Sequence, residues 1–213
     1  MEKKRVTLAQ KWLLAFTIIY VIAFMIYFLI NGNYEFVLYN VVVIILIFIV
    51  SMLHLRVGFP TWILVGLSIW GLLHNGGASI YIGDTKLYSY ILIPLYSSNV
   101  AELVLLKYDQ FAHFYFYVIA TLLAYYVIEP NLAKKFSWPV IATLLVFIGM
   151  GIGALNEIIE FIPALFFTKH GVGGYYNTML DIVFNTIGAI VAVLIIHFRI
   201  KKTMCHSTLK GGV

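Results

Sequence analysis

The run Trp12-Leu-Leu-Ala-Phe-Thr-Ile-Ile-Tyr-Val-Ile-Ala-Phe-Met-Ile-Tyr-Phe-Leu-Ile30 holds no charge, no proline and no glycine. As a helix rising about 1.5 Å per residue it reaches about 28 Å, close to the ~30 Å hydrocarbon thickness of a bilayer. The basic start Lys3-Lys4-Arg5 gives this end the look of a signal peptide. The apolar run is too long for such a peptide's core, however, and no small-residue cleavage site follows. The stretch is therefore expected to be a retained first membrane helix.

Five further segments read the same way: 36–53, 56–73, 111–128, 138–155 and 178–198. The third contains Gly58, Pro60 and Gly66, with the proline near its start, where a first-turn position costs no helical bond. The whole chain supports the reading, being 62% hydrophobic and 11% charged with mean hydropathy +0.97. A soluble domain carries about 25% charged residues and cannot hide so much apolar surface, since roughly a third of it stays exposed after folding. The expected fold is all-α: one polytopic transmembrane bundle over residues 1–213, with six spanning helices. The surrounding bilayer is its first partner.

Lys and Arg in short loops set the orientation. With both termini cytoplasmic, Lys3, Lys4, Arg5, Lys11, Arg56, Lys134, Lys135, Arg199, Lys201, Lys202 and Lys210 fall inside. Only Lys86, Lys107 and Lys169 fall outside. The basic residues hug the spans and form no separate domain, which excludes a nucleic-acid partner. Cys205, the one cysteine, has no internal disulfide partner. The outer loop 74–107 is long for a structureless connection. Its stretch Tyr88-Ser-Tyr-Ile-Leu-Ile-Pro-Leu-Tyr96 is too short to span and is expected to be interfacial or re-entrant, with tyrosines at headgroup level.

Polar side chains gather on the outer side. His74 and Asn75 close the third span, Asp109 and His113 open the fourth, Asn156, Glu157 and Glu160 close the fifth, and Asn177, Asp181 and Asn185 open the sixth. Their i, i+3 and i, i+4 spacings put each set on one helix face. They are expected to line a polar recess in the outer leaflet. An Asp at the bilayer centre costs about 2.5–3.5 kcal/mol, so four carboxylates require compensation. Either some hold a proton, or a cation neutralises them, or water fills the recess.

Three chemistries fit. Asp109, His113, Glu157, Glu160, Asp181 and His74 are ligand types for a divalent metal, although no zincin spacing is present. Asp109, His113, Glu157, Glu160 and Asp181 are also candidates for metal-free acid–base catalysis. Alternatively the cluster serves structure or transport. His74, Asn75, Asn156, Asn177 and Asn185 are candidate substrate-binding groups, the asparagines doubling as hydrogen bonders between helices. Gly149-Met-Gly-Ile-Gly153, Gly188 and Ala192 predict close helix packing. Lys169-His-Gly-Val-Gly-Gly174 reads as a turn, since no strand precedes it and no G-K-[ST] ends it. His54 and His197, at inner helix ends, are expected to be interfacial. Ser97-Ser98 and Thr178 match no nucleophile motif.

Leu73-His-Asn-Gly-Gly77, Lys107-Tyr-Asp-Gln-Phe-Ala-His113, Gly153-Ala-Leu-Asn-Glu-Ile-Ile-Glu-Phe161 and Asn177-Thr-Met-Leu-Asp-Ile-Val-Phe-Asn-Thr-Ile-Gly-Ala189 together resemble the YjdF-type family of prokaryotic multi-spanning inner-membrane proteins. The order D-x-x-x-H, then E, then D-x-x-x-N-x-x-G is also similar, distantly, to VanZ-like membrane proteins. This chain has Asn156-Glu-Ile-Ile-Glu160 where those tend to carry E-x-x-Q. The resemblance implies a cell-membrane, multi-pass location and makes Asp109, His113, Glu157, Glu160 and Asp181 motif positions. The leading functional expectation is action on a lipid or lipid-linked envelope molecule from the outer face. The alternatives are an ion- or proton-coupled transporter and a membrane assembly or scaffold protein.

Overall fold

The computed structural model describes residues 5–94, 106–132, 136–168 and 170–210, with 131 and 201–210 as backbone only. Lys3, Lys4, Leu95, Tyr96, Ser97, Ser98, Lys134, Lys135 and Lys169 lie outside the described residues, as do the side chains of Lys201, Lys202, Cys205 and Lys210.

Helix α1 spans Leu8–Ile30 and starts at a capping box. The Thr7 hydroxyl accepts from the Gln10 N–H, and the Gln10 side chain accepts from the Thr7 N–H, satisfying two donors that have no helical partner. Gly32, at φ +66°, turns the chain into α2, Tyr34–Val57, capped by Asn33. Gly58, at φ +76°, ends α2 in the left-handed region that favours glycine. Helix α3 then runs Thr61–Ser79. This corrects the expected third segment at 56–73: Arg56 and Val57 belong to α2, and Pro60 sets the entry to α3.

After α3, β1 (Tyr81–Ile82) pairs antiparallel with β2 (Thr85–Lys86), and a 3-10 turn covers Leu87–Ser89. Strand β3 (Ile91–Ile93) pairs antiparallel with β4 (Leu106–Lys107). The described part of the outer loop is thus two small ribbons and a turn; it contains no re-entrant helix. Helix α4 follows at Tyr108–Ile128, α5 at Trp138–Phe166 and α6 at Tyr175–Lys210. Asn156, Glu157 and Glu160 lie inside α5 and do not close it, because the helix continues through Pro163. Apolar windows stop at the first carboxylates, whereas backbone hydrogen bonding does not.

Among the described residues, five helices are long and apolar enough to cross a membrane: Leu8–Ile30, Tyr34–Val57, Tyr108–Ile128, Trp138–Phe166 and Tyr175–Ile200. Helix α3 falls short of that mark. Gly66, Ser68, Gly71, His74, Asn75, Gly76 and Gly77 dilute its hydropathy, and most of them are buried against neighbouring helices. A helix shielded by protein on its polar side has no need of an apolar surface all round.

The closest pairing is α4 on α6, with α5 against both. A Cβ added at Gly188 would lie 2.5 Å from the Phe114 carbonyl oxygen and 3.0 Å from the Tyr117 Cβ. At Gly149 it would lie 2.6 Å from the Ala189 Cβ. Both positions therefore let helix backbones approach, as the small-residue pattern predicts. Gly151, the glycine between, meets nothing within 4 Å. Ile63, Ile119, Leu122, Leu145, Ala192, Val193 and Ile196 fill the core at one end of this half. At the other end the polar residues converge.

Candidate functional site

His113 sits one turn into α4 on the same face as Asp109, and 8% of it is exposed. Its Nδ1 lies 3.1 Å from Asn185 Oδ1 on α6 and 3.8 Å from Glu157 Oε1 on α5. Its Nε2 lies 3.5 Å from both Asp109 Oδ1 and Glu160 Oε1. One imidazole thus meets three carboxylates from two helices. The i, i+3 and i, i+4 spacings of α4 and α5 create this, since both faces turn toward the same gap.

Neutral amides hold the carboxylates. Asn177, near the start of α6, donates to Asp109 Oδ2 at 3.2 Å and to Asp181 Oδ2 at 2.7 Å. Its own Oδ1 accepts from Lys107 Nζ at 3.0 Å and Gln110 Nε2 at 3.3 Å. Gln110, fully buried, also donates to Asp181 Oδ1 at 3.0 Å. Asn156 donates to Glu160 Oε1 at 2.7 Å. Burying charge is tolerable only when such hydrogen bonds replace water. Among the described residues, three buried side-chain atoms around the site find no hydrogen-bond partner: Glu157 Oε1, Asn185 Nδ2 and, on α3, His74 Nε2.

The cluster borders a cavity of about 220 Å³. Asp109, His113, Glu160, Asn156, Asn177 and His74 line it. Glu157, Asp181 and Asn185 do not; they stand behind the first row of side chains. Asn75 is also absent from the wall. Its amide accepts from Asn40 Nδ2 at 2.9 Å and donates to the Gly71 carbonyl at 2.8 Å, tying α3 to α2. The third helix turns that side toward α2, away from the cavity.

His74 reaches the cavity from α3. Its Nδ1 lies 2.6 Å from the Tyr88 hydroxyl, and its ring stacks on Trp70. Burial first, then the nearby Asp109 and Glu160 charges, push the Tyr88 hydroxyl well above its ordinary range. Among the described residues, two groups of metal-ligating side chains are close enough to hold one ion: Asp109, His113 and Asp181, and His113, Glu157 and Glu160. His74 belongs to neither.

Residues 12–202 match the family described as "Predicted membrane protein (DUF2238)". The chain belongs to this family. The YjdF-type resemblance and the DUF2238 family are one and the same. No curated protein and no solved structure matches the chain. As a DUF2238 member with several apolar helices it is a membrane protein.

Some cavity residues of this DUF2238 protein fall outside the candidates read from the sequence. Glu35, in the first turn of α2, lines the wall with Phe36 and Tyr39. It accepts from the Tyr39 hydroxyl at 3.3 Å and from the Gly171 N–H at 2.7 Å. The signal that could have found it is position: one carboxylate directly ahead of a long apolar run, at the same end of the bundle as the other acids. His54, near the other end of α2, is likewise buried, 3.3 Å from Gln10 Oε1.

Proposed function

We propose that the protein acts on a lipid or lipid-linked envelope molecule whose polar head enters the cavity from the extracytoplasmic side. The observation that carries this reading is the mixed wall of the cavity. Asp109, His113 and Glu160 face a space also bounded by Phe36, Tyr39 and Trp70. An imidazole flanked by carboxylates moves protons, and aromatic faces hold an apolar or amphipathic body. About 220 Å³ admits a headgroup and leaves the tails in the bilayer. The first turns of α2, α4 and α6 meet the last turns of α3 and α5 at this end. With the basic loops inside, that end is extracytoplasmic.

Cells making the wild-type chain should show an altered profile of envelope lipids or lipid-linked intermediates. Asp109→Asn and His113→Gln chains, inserted to the same level, should not. Identical profiles for wild type and variants would remove the reading.

One feature favours the transport alternative. A seam of polar contacts runs along α1, α2 and α3, away from the cavity. Asn40 meets Asn75, the Tyr20 hydroxyl donates to the Ser68 carbonyl at 2.7 Å, and Thr17 and Ser68 hydroxyls lie 2.7 Å apart. At the far end Gln10 bonds Thr61 at 3.1 Å beside His54. From Ser68 to Thr61 the seam skips about 10 Å of helix, which a proton path must bridge with water. Proton flux in proteoliposomes, abolished by Asn75→Leu, would select this alternative.

A further inference from the structure

We infer that His113, Glu157 and Glu160 form a site for a first-row divalent cation, with its open coordination position facing the cavity. The three side chains each offer one ligand atom, and those atoms lie within 4.8 Å of one another. Nε2 of His113 is 3.5 Å from Glu160 Oε1. That is long for a charge-assisted N–H···O bond, which runs about 2.7–2.9 Å. It matches the edge of about 3.4 Å between neighbouring ligands on a tetrahedral metal with bonds near 2.1 Å.

Two further observations point to a ligand. Asn185, 1% exposed, puts its Oδ1 3.1 Å from Nδ1, so Nδ1 donates to it, while Nε2 lies 3.5 Å from Glu160 Oε1 and from Asp109 Oδ1; Glu157 Oε1 approaches the ring on the Nδ1 side, at 3.8 Å. Holding one ring nitrogen by an outer carbonyl is how proteins aim the other at a metal. Glu157 Oε1, a fully buried atom, has no donor. A buried carboxylate oxygen facing no donor calls for positive charge. Among the described residues, the ion pairs found at the four carboxylates all involve His113. The His113 imidazole and the Lys107 ammonium together do not balance four acids, whereas a divalent ion goes far toward doing so.

The rival triad, Asp109, His113 and Asp181, is the weaker cradle. Both Asp181 oxygens already accept, from Gln110 and Asn177, whereas in the first triad Glu160 Oε1 accepts from Asn156 and Glu157 Oε1 accepts from no donor. Glu160 and His113 border the cavity, which gives the ion an entry path and leaves a position for water or an oxygen-bearing headgroup. One nitrogen and two carboxylate oxygens suit zinc, manganese or iron(II) in preference to a soft thiophilic ion.

The test is metal content of the full chain purified in nanodiscs, by mass spectrometry and by titration with Zn²⁺ and Mn²⁺ against a chelator. Wild type should bind about one equivalent per chain, three ligands and an open position making one mononuclear site. Glu157→Gln and Glu160→Gln, near-isosteric changes, should each weaken binding more than about 100-fold, beyond the 10–100-fold of a lost outer partner. Asp181→Asn, a change behind the ligands, should cost no more than about that 10–100-fold. A wild-type chain that takes neither ion overturns the inference and leaves a proton as the occupant of Nε2. Full binding by both Glu variants, or its loss in Asp181→Asn alone, overturns the ligand assignment. The readout is independent of any lipid phenotype, so the lipid reading and the metal site can fail separately.

Discussion

The Glu35 carboxylate accepts a hydrogen bond of 2.7 Å from the Gly171 backbone N–H, across 136 positions of sequence. This contact ties the α5–α6 connection to the first turn of α2. Gly171, Val172 and Gly173 then lie along the cavity wall. The Gly-rich stretch is more than the plain turn its composition predicts; it forms one side of the cavity and is held there by a charge.

Glu35→Ala should therefore free residues 170–174 with little effect on the helices. A hydrogen bond to a charged group is worth about 1.5–3 kcal/mol, so amide exchange in that segment should quicken about tenfold or more. Exchange in the α4–α6 core should not change. Equal protection of residues 170–174 in variant and wild type would show that the contact does not hold the connection.

Asn177 is the hub of the polar cluster, donating to Asp109 and Asp181 and accepting from Lys107 and Gln110. Asn177→Ala removes these bonds and should cost about 1–3 kcal/mol of thermal stability in detergent. Asn177→Asp should cost more, because it places a third carboxylate against two others where two donors stood. An Asp variant more stable than the Ala variant would mean that the amide donors do not carry the cluster.

How far the site was legible follows from what each side chain faces. The apolar runs define most of the helices because a spanning segment must be apolar, and polar residues at helical spacing mark the end where the acids meet. That Asp109, His113 and Glu160 share a cavity while Asp181 and Glu157 stand behind it depends on helix rotation. Asn75 shows the same limit: it neighbours His74 in sequence yet bonds Asn40 on α2. Rotation is set by close approaches such as Gly188 on Phe114, which spacing on one helix does not reveal. Helix α3 was legible as a helix, but its glycines and asparagine encode burial against α1, α2 and α4, which a hydropathy window scores as polarity.

Gly188 and Gly151 make a controlled pair. Gly188→Ala drives a methyl to 2.5 Å from the Phe114 carbonyl, a backbone atom that yields only if α4 and α6 separate. It should destabilise the fold by about 1–3 kcal/mol, the usual cost of overpacking. Gly151→Ala points into open space and removes the helix penalty of glycine, a gain of up to about 1 kcal/mol. Melting temperatures moving the same way in both variants would contradict the α4–α6 contact.

Tyr88 links the loop to His74 through its hydroxyl, 2.6 Å from Nδ1. Tyr88→Phe should cost about 0.5–1.5 kcal/mol at neutral pH, the worth of one hydrogen bond. Burial holds the phenol protonated above its ordinary value of 10.0. Above that pH the folded chain binds more protons than the unfolded one, so this contribution is full below about pH 10 and declines as pH rises further, by at most about 1.4 kcal/mol per pH unit. Phenylalanine has no proton to lose. The stability difference between wild type and Tyr88→Phe should therefore shrink above pH 10, in unfolding curves taken at matched detergent. Other tyrosines titrate in both chains and cancel in the difference. A gap that stays constant across that range would mean that the Tyr88 hydroxyl ionises as freely in the fold as in the open chain, and that its contact with His74 does not bury it.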